Sequence, residues 1–115
     1  MFDFELYRRE RLARINSEII RFQDLLGRRS DIKKAILFGS CAAGEMNAFS
    51  DIDLIVVMET EKNFSQRQDD IYLYLNPEIQ TEVLVYTPEE FTRLSAERIF
   101  IRRAAETGKV LVESG

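Results

Sequence analysis

The sequence contains no histidine and only one cysteine, Cys41. Imidazole catalysis and Cys/His zinc clusters are therefore excluded, and an internal disulfide is impossible. Cys41 is read as a small packed loop residue rather than a reactive thiol. No run approaches the roughly 18 apolar residues of a membrane span, and the N-terminus lacks the apolar core of a signal peptide, so the expected address is the cytoplasm, away from membrane. A basic excess is missing too. The formal charge is −4; residues 1–34 carry nine Lys/Arg against six Asp/Glu, and the remainder seven against fourteen. Direct nucleic-acid binding, which draws on a basic face that neutralises phosphates, is not expected from this balance. Repeats, low-complexity tracts and interdomain linkers are also absent. With 115 residues, 45% hydrophobic and 31% charged, the chain is expected to form one domain, 1–115, around one core.

Leu12, Ile15, Ile19, Phe22 and Leu26 recur at three- and four-residue steps and predict a helix from about Phe4 to Leu26, stopped by Gly27. Its other face carries Arg8, Arg9, Glu10, Arg11, Arg14, Glu18 and Arg21, the pattern of a solvated charged surface. Strands are expected at Ile32–Phe38, Asp51–Met58 and Glu82–Tyr86, with a helix at Phe64–Leu75 ended by Asn76-Pro77. Thr87, Pro88 and Glu90 form a helix start, with Thr87 as N-cap and Glu90 closing a capping box. That helix should end near Leu94 or Ser95, followed by a helix at Ile99–Thr107 and a short edge strand at Lys109–Glu113. Asp69 and Asp70 are adjacent on a helix, point in different directions and are read as surface.

The stretch from Ala35 to Val57 carries the chemistry. An apolar strand runs into Gly39-Ser40, and a second strand opens with Asp51-Ile52-Asp53. Residues two apart in a strand point to the same face, so the two aspartates can converge on a cation. Mg²⁺ takes oxygen ligands, commonly one or two carboxylates plus substrate phosphates. Gly39 lets backbone approach a phosphate closely, and Ser40 adds a hydroxyl donor. If the first two strands are antiparallel and the third runs parallel to the second, Gly39, Ser40, Asp51, Asp53 and Glu82 share one edge of the sheet.

Gly39-Ser40, ten residues, then Asp51-Ile52-Asp53 resembles the signature of the polymerase-beta-type nucleotidyltransferases, and most closely their minimal nucleotidyltransferase domains. The resemblance runs from about Ala35 to Val112. It implies an α+β, two-layer fold with a small mixed sheet flanked by helices. It also implies that Gly39 and Ser40 cradle a triphosphate, that Ser50 steadies the loop at the nucleotide, and that Asp51, Asp53 and Glu82 are catalytic metal ligands for two Mg²⁺ ions. Glu82 would help deprotonate the acceptor hydroxyl. Two positions depart from the pattern: Glu82 stands where Asp is usual, and Ala43 where Arg is usual. The implied reaction passes AMP from ATP to a hydroxyl and releases pyrophosphate. Such minimal domains are similar to antitoxins encoded with HEPN-type helical toxins. The implied partner is such a toxin, modified on a tyrosine within a homo- or hetero-oligomer; the competing expectation is a nucleotide-binding module that neutralises its partner by contact.

Overall fold

In the computed structural model, which describes residues 1–44 and 46–114, the chain runs α1 (Phe4–Gly27), β1 (Ile32–Phe38), a 3₁₀ turn (Gly39–Cys41), β2 (Ile52–Met58), α2 (Phe64–Leu75), β3 (Thr81–Tyr86), α3 (Pro88–Glu97), α4 (Ile99–Thr107) and β4 (Lys109–Glu113). Local chemistry sets the boundaries. Asp3 caps α1 by accepting from the Leu6 N–H at 3.1 Å. Asn63 with Gln66 and Thr87 with Glu90 form reciprocal capping boxes at the starts of α2 and α3, each satisfying two backbone donors. At the end of α2, Asn76 takes the left-handed conformation with φ 44°. α1 runs through Gly27, one residue past its expected stop, and α3 extends to Glu97 before extended backbone at Arg98 breaks it from α4.

The strands form one sheet in the order β3-β2-β1-β4. β1 is antiparallel to both β2 and β4, whereas β2 and β3 are parallel, joined through α2. The mixed sheet and its strand directions match the sequence expectation. The layering is fuller than two, because helices cover both faces. On one face, Ile15, Ile19, Phe22 and Leu26 of α1 and Ile71 and Leu75 of α2 pack on Ala35, Leu37, Ile52, Leu54, Val56, Val83 and Val85. On the other, Ile101 and Ala104 of α4, with Phe91 and Leu94 of α3, pack on Ile36, Ile55 and Val57. Each fully buried aliphatic or aromatic side chain contributes about 1.5–3 kcal/mol by leaving water. Gly108 lets α4 turn tightly onto β1, since a Cβ there would lie 2.6 Å from Ile36 Cγ2 and 2.8 Å from the Leu37 carbonyl oxygen.

Two charged groups expected at the surface are structural. Glu18 is buried, accepting from the Glu78 N–H at 2.6 Å and from Arg21 Nε at 2.7 Å. These bonds hold its carboxyl below the usual range, the Arg21 bond most of all. Asp70 accepts from both terminal nitrogens of Arg29 at 3.1 and 3.2 Å and so ties α2 to the α1–β1 turn. The outer edges of the sheet are also engaged. The Gln68 amide of α2 donates to the Val83 carbonyl and accepts from the Val85 N–H on β3, and Gln23 of α1 donates to the Leu111 carbonyl on β4 at 3.0 Å. Among the described residues no helix is long and apolar enough to cross a membrane.

Candidate active site

β-pairing places Phe38, Asp53 and Glu82 in one row across β1, β2 and β3. Neighbouring strands lie about 4.8 Å apart, so Asp53 and Glu82 are side by side. Their alternation with Ile55 and Leu84 points both towards the α3/α4 face. Asp51 precedes β2 and is exposed, Asp53 is half-buried, and Glu82 is exposed at the start of β3. Burial pushes the Asp53 carboxyl above its usual range, and the charges of Glu82 and then Asp51 push it further. Asp53 thus sits within electrostatic reach of both other carboxylates.

Gly39 faces this row from the end of β1. Its φ is +73°, and a Cβ there would overlap Asp53 Oδ2. Only a residue without a side chain brings the backbone this close to the carboxylate. The following 3₁₀ turn is closed by the Ala42 and Ala43 N–H groups donating to the Gly39 carbonyl, both at 3.1 Å. The first amides of such a turn have no acceptor within it.

Ser50 is buried at the centre of the loop between turn and strand. Its hydroxyl accepts from the Asn47 N–H at 2.9 Å and from Ser40 Oγ at 3.1 Å, while its own N–H donates to the Asn47 carbonyl at 3.0 Å. Ser50 thus fixes the loop and orients the Ser40 hydroxyl. Arg11 of α1 adds an anchor that sequence reasoning did not single out: its Nε donates to the Ala48 carbonyl at 3.2 Å. An arginine in a row of arginines carries no signal of such a contact. Cys41 donates from Sγ to the Asp51 carbonyl at 3.2 Å. Burial, then the Asp53 charge, raises its thiol above the ordinary range, so it stays protonated and packs as a small residue.

A family model described as polymerase beta nucleotidyltransferase matches residues 21–115. The chain belongs to the polymerase beta nucleotidyltransferase family. Its mixed sheet flanked by helices is consistent with that fold, and nucleotidyl transfer is the activity class that follows. No curated protein matches the chain.

The donor set suits a hard divalent cation, because it offers carboxylate oxygens on one sheet end. Among the described residues no three His, Cys, Asp or Glu side chains gather tightly enough to hold a metal by themselves. A nucleotidyltransferase site does not require such a cage, since Mg²⁺ retains waters and takes substrate phosphate oxygens beside one or two carboxylates. Asp51 and Asp53 would be those carboxylates, with Glu82 beside them. Cation charge would offset the part of the Asp53 shift that comes, after burial, from the Glu82 and Asp51 charges.

Proposed function

We propose that this nucleotidyltransferase transfers AMP from ATP, with Mg²⁺, to a hydroxyl of a partner protein, a tyrosine of a HEPN-type helical toxin, and so acts as its antitoxin. The observation that carries the reading is the row in which Asp53 stands between Glu82 and the Gly39 turn, its carboxyl raised by burial and then by the neighbouring carboxylates. A cluster of repelling acids beside a glycine that admits close backbone approach fits a cation-bound polyphosphate. Gly39 and Ser40 orient the triphosphate, and Asp51 and Asp53 hold the cations. Glu82, alongside Asp53 and open to solvent, takes the proton of the acceptor hydroxyl. The acceptor oxygen forms a bond to the α-phosphorus, the α–β anhydride bond breaks, and pyrophosphate leaves. Bound Mg²⁺ supplies charge neutralisation at the attacking and leaving oxygens.

The resemblance to minimal domains paired with helical toxins supports the choice of partner. The test is incubation with ATP labelled at the α-phosphate, Mg²⁺ and the helical protein encoded beside it. Label on a partner tyrosine, lost on omitting Mg²⁺, is expected. A second reading is favoured by Glu82 standing where the family resemblance leads one to expect Asp. On that reading the chain binds nucleotide and neutralises its partner by contact. Neutralisation without label transfer would select it.

A further inference from the structure

On the α4 side, the Gly39 turn borders a cavity of about 190 Å³ lined by Phe38, Gly39, Phe100, Arg103, Ala104 and Thr107. Its chemistry differs from that of the carboxylate row on the other side of Gly39: none of these six residues is acidic, two are aromatic and one is a cation. Phe100 is 57% exposed, although it is a large apolar residue on a helix whose Ile101 and Ala104 are buried. Its ring meets Phe38 in a T-shaped contact, with centroids 5.5 Å apart and planes at 86°. Whichever ring presents its edge, at least one face of Phe100 is left uncovered by Phe38. Arg103 is exposed, and among the described residues no acidic side chain pairs with it.

We infer that this cavity holds the nucleobase of the nucleotide whose phosphates lie at Gly39 and Ser40, stacked on Phe100 with the Arg103 guanidinium beside it. The inference rests on the nucleotide reading above and adds a subsite to it. Continuity fixes the occupant. Gly39 lines the cavity and abuts Asp53, so a ligand whose phosphates lie at Gly39, as proposed above, has the cavity next to it. A polyphosphate alone would gain from Arg103 but nothing from two aromatic rings. A planar base gains from both, since bases stack on aromatic faces and on guanidinium planes. Stacking is tolerant of base identity because every base has a π-face. The subsite therefore confers affinity with little selectivity between adenine and guanine.

The test measures binding of MgATP, MgGTP and magnesium tripolyphosphate to the intact chain and to Phe100→Ala, Phe100→Leu and Phe100→Trp. Phe100→Ala should weaken ATP and GTP by a similar factor, about 5- to 150-fold, and leave tripolyphosphate binding unchanged. Phe100→Leu restores apolar bulk without a π-face and should remain weak, whereas Phe100→Trp should recover wild-type affinity. Since Phe100 is mostly exposed, these variants should fold, which circular dichroism checks. Wild-type nucleotide affinity in Phe100→Ala, or full rescue by Phe100→Leu, would overturn the subsite while leaving the nucleotide site standing. Failure of the wild-type chain to bind MgATP or tripolyphosphate would overturn both.

Discussion

Replacing Gly39 by alanine separates folding from function at a single atom. The backbone there has φ +73°, and the left-handed conformation costs a residue with a Cβ roughly 1–2 kcal/mol. The new methyl would overlap Asp53 Oδ2, yet Asp53 Cγ and Cβ would lie 3.4 and 3.6 Å from it, close to ordinary contact. Only the tip of the carboxylate must move, and rotation of that short side chain relieves the overlap. Stability should therefore fall by little more than the conformational cost, about 1–2 kcal/mol, or roughly 4–8 °C in Tm for a chain of this size. Binding should suffer far more, because the carboxylate swings out of the row it shares with Glu82. Thermal melts give the first quantity, and calorimetric titration with MgATP gives the second. Wild-type MgATP affinity in Gly39→Ala would show that the position of the Asp53 carboxylate does not govern nucleotide binding. Outright unfolding would show that the methyl meets the backbone rather than a movable oxygen.

Asp53→Asn should abolish MgATP binding and, without metal, stabilise the fold. Because the Asp53 carboxyl is raised in the folded state, its contribution to stability is fully present below the ordinary aspartate range and lost as pH rises through the raised value. Urea midpoints of wild type and Asp53→Asn should then converge in acid and separate towards neutrality, with the variant higher; a lower variant at neutral pH would refute this. Glu82→Gln should stop AMP transfer but spare most ATP binding, and Glu82→Asp should retain activity. A labelling assay run with a binding titration decides, and an active Glu82→Gln would remove Glu82 as proton acceptor. Glu90→Gln should cost about 3 kcal/mol, because the Arg67 side chain, only 8% exposed, loses its ion partner. The Arg67 bond, opposed by burial and aided by the Thr87 N–H, holds the Glu90 carboxyl low, so the stability it confers is present above the ordinary glutamate range and disappears as pH falls through its folded value. A urea series against pH should show a shallower acid limb in Glu90→Gln.

Local patterns made much of this architecture legible. The α1 stripe from Ile15 to Leu26, the capping box at Thr87 and Glu90, and the apolar run of β2 are decided by neighbours within a few residues. Strand alternation puts Ile52, Leu54, Val56 and Met58 on one face of β2 and Asp53, Ile55 and Val57 on the other, and the two cores divide along that line. What stayed hidden depends on distant partners. Glu18 looked like a surface acid because its backbone donor, Glu78, lies 60 residues away. Asp70 looked like surface because Arg29 reaches it across 41 residues. At the site, Gly39 and the aspartates stood out through spacing, whereas Phe100 joins the cavity beside Gly39 only through the docking of α4 on β1. A short amphipathic helix does not announce which of its residues will meet the sheet end.

The glutamine side chains at the two outer strands constrain how this chain can meet other proteins. An uncovered edge strand recruits further strands, from a partner or from another copy. Here the outward carbonyl of Val83 and N–H of Val85 are occupied by Gln68, and the Leu111 carbonyl by Gln23. An incoming strand would have to displace an amide from β3 or β4 before forming its own ladder. Strand addition at either edge therefore competes with a side-chain bond already in place, which disfavours growth of the sheet by a further strand.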